Sequence, residues 1–415
     1  MNAARWMVFA PQLASMIAVC GCSTTPPLEP PEPFGSADAG LLVVDALGPE
    51  DGGAVGADAN CPYAAMPFEP TQSDPHNCGS TGNDCDGGAC DDGACVALPA
   101  GVLATGQMLP IALVADEVSV YWLNWGNTLV LGHGPGLPPT MTGGAQVLKC
   151  AVGGCNNEPT VLASIPGSGG GLPVIQSALA LDANSVYWTT QSTIESCAIG
   201  GCGCTPTMIA SSLIQPPGVA VGGDRVYWTL WGSGQVETCP IAGCDGAPTL
   251  LAGPLGAPSS VAADPSTVYW VDGSGIWSAA VSNLGAGDAG PTELWSSPYG
   301  AQGVAVDSTN VYWLGYDGDG GTIMQCSKAD CIDTAVTLAA GQADPSAIAV
   351  DSDYVYWRDD NVYKCAIGGC SESPTLVATA DYEFFDSPIA VNSKYIFWTQ
   401  QGASEQDIQI HVAPK

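Results

Sequence analysis

The chain has 415 residues, and its 53 glycines and 33 prolines are interspersed with Val-Tyr-Trp clusters, a composition suited to short strands joined by many turns. A formal net charge of -33, from 41 acidic and 8 basic side chains, leaves no basic patch to neutralise phosphates. Nucleic acid is therefore excluded as a partner, as is adhesion to anionic lipid by charge alone.

Residues 1–21 carry one basic residue, Arg5, and an apolar run that ends in Val19-Cys20-Gly21-Cys22. The run is too short and too poorly flanked to span a membrane. It resembles a bacterial secretory signal with a lipobox, which implies cleavage before a lipidated cysteine. Cys22 after Gly21 fits that position; Cys20 is the second choice, because Val19 is bulky for the site before cleavage. Ser23 resembles the outer-membrane sorting pattern of lipoproteins. An exported protein, held at the outer membrane or cell surface by an N-terminal lipid, is what the resemblance implies. A plain signal peptide or a buried apolar helix is the competing reading.

Residues 22–60 begin with a Pro-rich spacer and continue in Ala, Asp and Gly, which predicts a disordered tether. Residues 61–100 hold Cys61, Cys78, Cys85, Cys90 and Cys95 in a Gly-rich stretch with no apolar core, as exported chains stapled by disulfides do. The spacing resembles the short Cys-rich cassettes of bacterial surface lipoproteins. The count is odd, so pairing stays open, with Cys204 a candidate partner; a zinc site using His76 is the competing reading.

From residue 101 to 415 one phrase, Asp-x-x-x-Val-Tyr-Trp, returns seven times. Its Trp residues are Trp122, Trp188, Trp228, Trp270, Trp313, Trp357 and Trp398, spaced 40 to 44 residues apart after the first interval. The lead position is Asp116, Asp182, Asp264, Asp307 and Asp351, drifting to Gly222 in the third copy and Asn392 in the seventh. Each unit divides into four short strands, the signature of propeller blades. The first, such as Ile348 to Val350, has small and branched residues suited to a channel wall. The second carries Val-Tyr-Trp, whose alternation turns Val and Trp to one neighbouring blade and Tyr to the other, making the aromatics core. Seven third strands are followed by only six fourth strands, and Val102-Leu103-Ala104 matches the missing pattern. The predicted fold is all-β: a seven-bladed β-propeller closed by an N-terminal strand, preceded by the tether and the cassette.

Ile348-Ala349-Val350-Asp351 followed by Val355-Tyr356-Trp357 resembles the YWTD propeller family of receptor ectodomains. That family's ring has six blades where seven units are counted here, and its final Asp survives only as Asp272 and Asp359. The resemblance implies a propeller and carries no ligand specificity across.

Five units end their third strand in Cys-x-x-x-x-Cys: Cys150 and Cys155, Cys197 and Cys202, Cys239 and Cys244, Cys326 and Cys331, Cys365 and Cys370. A four-residue hairpin loop would bring such positions opposite each other, within reach of a disulfide. Five pairs spread around a ring cannot converge on one metal. The fourth unit lacks its pair.

The loops between second and third strands differ in length and chemistry, while the opposite turns are uniform. Trp125, Trp231 and Tyr316 stand out on this variable face, with Asn124, His133, Asp317, Asp319, Arg358, Asp359 and Asp360 around them. Aromatic rings beside carboxylates and amides can stack on and hydrogen-bond a sugar or a peptide. The alternative is that the rings only cover the channel mouth. Asp317-Gly318-Asp319-Gly320-Gly321 faintly resembles a calcium loop but lacks the later bidentate Glu, so calcium is the one cofactor kept in view. No metal site or catalytic motif is assigned: the histidines are only His76, His133 and His411, and no nucleophile or phosphate-loop pattern stands out. The expectation is a monomeric surface lipoprotein whose propeller binds a protein or a glycan. An extracellular lyase or hydrolase, with His133 beside Asp317 or Asp359, is the second reading, and a purely structural envelope protein the third.

Overall fold

The computed structural model describes residues 100–125, 144–165, 178–202, 205–244, 246–284, 290–370, 373–380, 388–402 and 407–415, together with the backbone of short strands at 89–91, 94–96, 128–130 and 140–142. The signal, the tether, Cys22, Cys61, Cys78, Cys85, Cys204, His76 and His133 lie outside the described residues. Cys90 and Cys95 are register partners in a two-stranded antiparallel ladder, Ala89–Asp91 with Ala94–Val96.

Seven four-stranded antiparallel sheets follow, and the first strand of each contacts the first strand of the next around the whole ring. Six sheets run in chain order. In the seventh, Ile389–Val391, Tyr395–Gln401 and Ile408–Pro414 are completed on the outside by Gly101–Gln107, so the N-terminal strand closes the ring. Seven blades is one more than the six that the family resemblance implies.

Alternation in the second strands does what the repeat predicts. Val120 and Trp122 pack against blade 7, through Phe397 and Ile410, whereas Tyr121 and Leu123 pack against Val186 and Trp188 of blade 2. The indoles of all seven repeat tryptophans are buried. Truncating a buried Trp of this kind typically costs about 3–5 kcal/mol.

The lead aspartate acts through its two oxygens. Asp116 Oδ1 accepts from the backbone N–H groups of Val118 and Ser119, fixing the turn, while Oδ2 accepts from the Tyr121 hydroxyl at 2.9 Å. Blades 2, 5 and 6 repeat the pair as Tyr187 to Asp182, Tyr312 to Asp307 and Tyr356 to Asp351. Blade 7 has changed both partners: Asn392 Oδ1 still accepts from the N–H groups of Lys394 and Tyr395, and Phe397 has no hydroxyl to place.

Every fourth strand carries a β-bulge at one equivalent position. In blade 1 Val147 pairs with Ala163 but Leu148 pairs with Val161, which leaves Leu162 as the extra residue. Ile209, Leu251, Leu294, Leu338, Val377 and Leu103 take that place in blades 2 to 7. These outer strands are the open edges of the sheets, and a bulge disturbs the flat ladder that an edge would otherwise offer to another chain.

All five Cys-x-x-x-x-Cys pairs are disulfides, worth roughly 2 kcal/mol each by loop entropy. Their local geometry differs from the expected hairpin. The third-to-fourth connection of blade 1 runs from Ala151 to Thr160, so the disulfide braces the turn after the strand, closed by Gly154 N–H to Ala151 O, and does not sit across the ladder. Sulfur then lies against the bulge of the preceding blade, Cys202 Sγ 3.3 Å from Leu162 O and Cys370 Sγ 3.4 Å from Leu338 O. In blade 4, which lacks the pair, a 3-10 turn at Val281–Asn283 follows the strand, and Val281 packs in the same cluster as Leu251 and Ala252 of blade 3.

Blade 4 also shows how the uniform face responds to acid. Burial pushes the Asp264 carboxyl up, but hydrogen bonds from Lys328 and Ser266 outweigh it and hold it at about 2. Lys328 Nζ lies 2.7 Å from Asp264 Oδ2 and 5.3 Å from the Tyr269 ring centroid. A folded value below the unfolded one means the contact stabilises fully above about pH 4 and is lost as pH falls from 4 to 2. Denaturant melts of Lys328→Met should therefore show a stability deficit at pH 7 that shrinks toward zero by pH 2. A deficit that stays constant over that range would refute the ion pair.

Candidate functional site

The first strands of the seven blades begin at one mouth of the central channel, and there they frame an open cavity of about 580 Å³. Its wall is made of small or branched residues at the strand starts, among them Ile111, Leu179, Val219, Val261, Val304 and Ile389. Ser259, Ser260, Gln302 and Ser346 add hydroxyl and amide groups, Trp231 reaches it from the second-to-third loop of blade 3, and Asp272 reaches it from the end of the second strand of blade 4.

Trp231 follows the second strand Arg225–Leu230, in a turn closed by Gly234 N–H to Leu230 O. Gly234 has φ +64°, and a Cβ there would lie 2.4 Å from Leu255 O, so only glycine fits the close approach of the neighbouring connection. The turn thus lifts the indole outward, 56% exposed, with Ile214 exposed on the preceding blade connection. Of these two exposed side chains, Trp231 is the one that lines the cavity.

Asp272 is buried at the corresponding turn of blade 4. Its Oδ1 accepts from Ser274 N–H, Ser274 O–H and Gly275 N–H, and its Oδ2 accepts from Gly256 N–H at 3.2 Å. The carboxylate is a clamp that joins the turn to the blade connection beside it.

The other sequence candidates separate into three groups. Asn124 and Arg358 belong to the core: Asn124 donates to Gln107 Oε1 at 3.1 Å, and Arg358 is wholly buried and donates from Nη1 to the Thr399 carbonyl of blade 7. Asp317 and Asp359 cap turns, accepting from Asp319 N–H at 3.0 Å and Asn361 N–H at 2.8 Å, with Asp319 and Asp360 exposed beside them. Trp125 is half-buried, and its backbone N–H donates to Leu109 O. Tyr316 donates to Asp344 at 2.9 Å, and burial together with that carboxylate pushes its phenol well above the usual range. Of the ten candidates, Trp231 alone is among the described residues that line the cavity.

Among the described residues no group of three or more His, Cys, Asp or Glu is placed to hold a metal ion. The described histidine, His411, stacks at a tilt on Trp398 with centroids 5.4 Å apart and lies 3.1 Å from Gln409 Oε1. Burial, and then the charge of Arg358, push its pKa down, so it is a neutral packing residue at pH 7. No described helix is long and apolar enough to cross a membrane.

No protein-family model and no curated protein matches the sequence. Solved structures match in fold. A streptogramin B lyase structure aligns with TM-score 0.54 over 76% of this chain and 97% of its own, at 9% identity. The WD40 repeats of RRP9 align with TM-score 0.54 over 76% and 97%, at 12% identity, and the WD40 propeller domain of Doa1 with TM-score 0.50 over 75% and 96%, at 12% identity. A chain of the nidogen/laminin complex aligns over 56% of this chain and 89% of its own, at 18% identity and TM-score 0.42. At these identities the likeness is one of fold, and function has to be argued from the site.

Proposed function

We propose that the protein is an exported, lipid-anchored binding scaffold, and that the channel mouth marked by Trp231 is the face that receives an extracellular ligand, a protein or a glycan. The observation that carries this reading is an indole 56% exposed at the rim of a 580 Å³ cavity, on a turn whose backbone admits only glycine at Gly234. A cavity of that size is in the range that holds a ligand, and an aromatic ring at its rim supplies contact area at low entropic cost. Catalysis has less support among the described residues, because no free acid or base stands in the lining beside its serine hydroxyls: Asp272 is engaged by four donors. The lipid anchor rests on the apolar run before Cys22.

Both halves are open to test. Cys22→Ser should move the protein from the membrane fraction to the soluble one, and retention with Cys20 intact would remove the anchor. Screening against glycan and peptide arrays should give binders whose signal drops at least tenfold in Trp231→Ala. Binders that ignore the substitution would place the ligand face elsewhere.

A further inference from the structure

The lining of the mouth changes chemistry around the ring. Among the described residues, every hydroxyl and amide side chain in it comes from three consecutive blades: Ser259 and Ser260 from blade 4, Gln302 from blade 5 and Ser346 from blade 6. Blades 7, 1, 2 and 3 face them with Ile389, Leu113, Leu179 and Val219, and Trp231 stands on that side. No lysine, arginine or histidine is among these lining residues, and the one carboxylate, Asp272, is held by four donors. The described lining is apolar around the whole ring, Val261, Val304 and Ile348 included, carries its hydroxyl and amide side chains on one side, and offers a charged ligand no free counter-charge.

The polar side keeps hydrogen-bonding capacity for a guest. Ser260 Oγ accepts from Val304 N–H at 3.3 Å, which leaves its own O–H to donate. Gln302 and Ser346 are exposed, and the backbone N–H of Ser346 is already satisfied by the Arg358 carbonyl, so the side chain is the group on offer. Burying such groups under an apolar ligand would leave them unpaired, a cost that selects against it. Burying the opposite wall under a wholly polar ligand would waste the apolar surface and the indole.

A ligand that satisfies both sides is uncharged, carries several hydroxyls along one edge and presents a C–H face on the other. We propose that the mouth is a saccharide site, which takes a terminal unit of a neutral glycan with its hydroxyl edge toward Ser260, Gln302 and Ser346 and its C–H face toward Trp231 and Leu179. This rests on the reading of the mouth as the ligand face and adds the chemical class of the ligand.

Calorimetric titration of the full protein with a panel of neutral oligosaccharides tests it, with acidic oligosaccharides and cationic peptides as comparison. At least one neutral member should bind, with an affinity that changes less than about twofold between low and high salt, because no charges pair. Trp231→Ala should weaken that binding about tenfold or more, and Gln302→Leu several-fold, while thermal melts of both variants match the parent. The two side chains are exposed, so folding is not expected to suffer. If a cationic peptide binds instead and is lost in Trp231→Ala, the mouth remains the ligand face and the saccharide assignment falls. If neutral saccharides bind both variants as they bind the parent, the assignment to this cavity falls as well. Absence of any neutral binder overturns the proposal.

Discussion

Deleting residues 1–108 should abolish cooperative unfolding, or leave the protein aggregated, whereas deleting residues 1–60 should leave the melting temperature nearly unchanged. The first cut removes Gly101–Gln107, a strand remote in sequence from Ile408–Pro414 but paired with it. With it go Leu103 and Ala104, which are buried in the cluster that joins blade 7 to blade 1 through Trp122, Phe397 and Ile410. Gln107 is lost too, and its Oε1 accepts from Trp122 Nε1 at 2.9 Å and from Asn124 Nδ2 at 3.1 Å. What remains is an unprotected edge beside an opened core, with two buried donors unpaired. Burial of Leu103 alone is worth about 2 kcal/mol, and each orphaned donor costs a further ~1–3 kcal/mol, a large part of the stability of a single domain. The joint has other pins, Asn392 Nδ2 to Asp116 O at 3.0 Å and Ser393 to Glu117, but these lie on the uniform face and leave the cluster uncovered. Calorimetry of the two truncations decides the matter. Equal melting temperatures would mean that the ring does not depend on its N-terminal strand.

Much of this was legible because the repeat is periodic in a way that only one architecture satisfies. Val-Tyr-Trp returns at blade spacing, its alternation buries Val and Trp on one side and Tyr on the other, and the count of third against fourth strands exposes the closing strand. The bulges were not read from the sequence, because they escape a search for strict alternation. Leu162-Ala163, Ile209-Ala210 and Leu338-Ala339 are adjacent apolar pairs in which both members are buried, which a regular strand cannot do and a bulged one can. Arg358 was misplaced for a related reason: a charged residue near a loop looks like surface. Its position, immediately after the repeat Trp, is filled in the other blades by Leu123, Thr189, Thr229, Val271, Leu314 and Thr399, all buried. The pattern of the other six copies points inward, and the charge of one does not change the backbone.

The mouth was only half legible. Trp231 could be picked out as an aromatic in a variable loop, but Trp125 and Tyr316 hold the same sequence offset and do not line the cavity: Trp125 is half-buried, and Tyr316 ends its strand with its hydroxyl on Asp344. Ser259, Ser260, Gln302 and Ser346 were passed over as connecting residues. Their importance depends on seven strand starts converging on one axis, a fact of tertiary structure that no local pattern encodes.

The drift of the lead position in blade 3 yields the other large effect. Restoring the repeat's aspartate at Gly222 should destabilise the protein by about 1–3 kcal/mol, although it supplies the partner that Tyr227 lacks. A Cβ at Gly222 would lie 2.7 Å from Asp264 O and 3.0 Å from Ala263 Cβ, so blades 3 and 4 approach too closely for any side chain there. The consequence is visible in the orphan: the Tyr227 hydroxyl is buried without a hydrogen-bond partner, whereas Tyr312 donates to Asp307 at 2.7 Å. Tyr227→Phe should accordingly be neutral or stabilising by up to about 1 kcal/mol, because it removes an unsatisfied group. Tyr312→Phe should cost about 1.5–3 kcal/mol, the worth of a hydrogen bond to a carboxylate. Blade 7 shows the tolerated way out of the pair, with Asn392 and Phe397 changed together. Denaturant midpoints of Gly222→Asp, Tyr227→Phe and Tyr312→Phe test the account as a set. A Gly222→Asp protein as stable as the parent would show that the blades part readily at this joint, and the close approach of blade 4 would no longer explain why the repeat gives way to glycine.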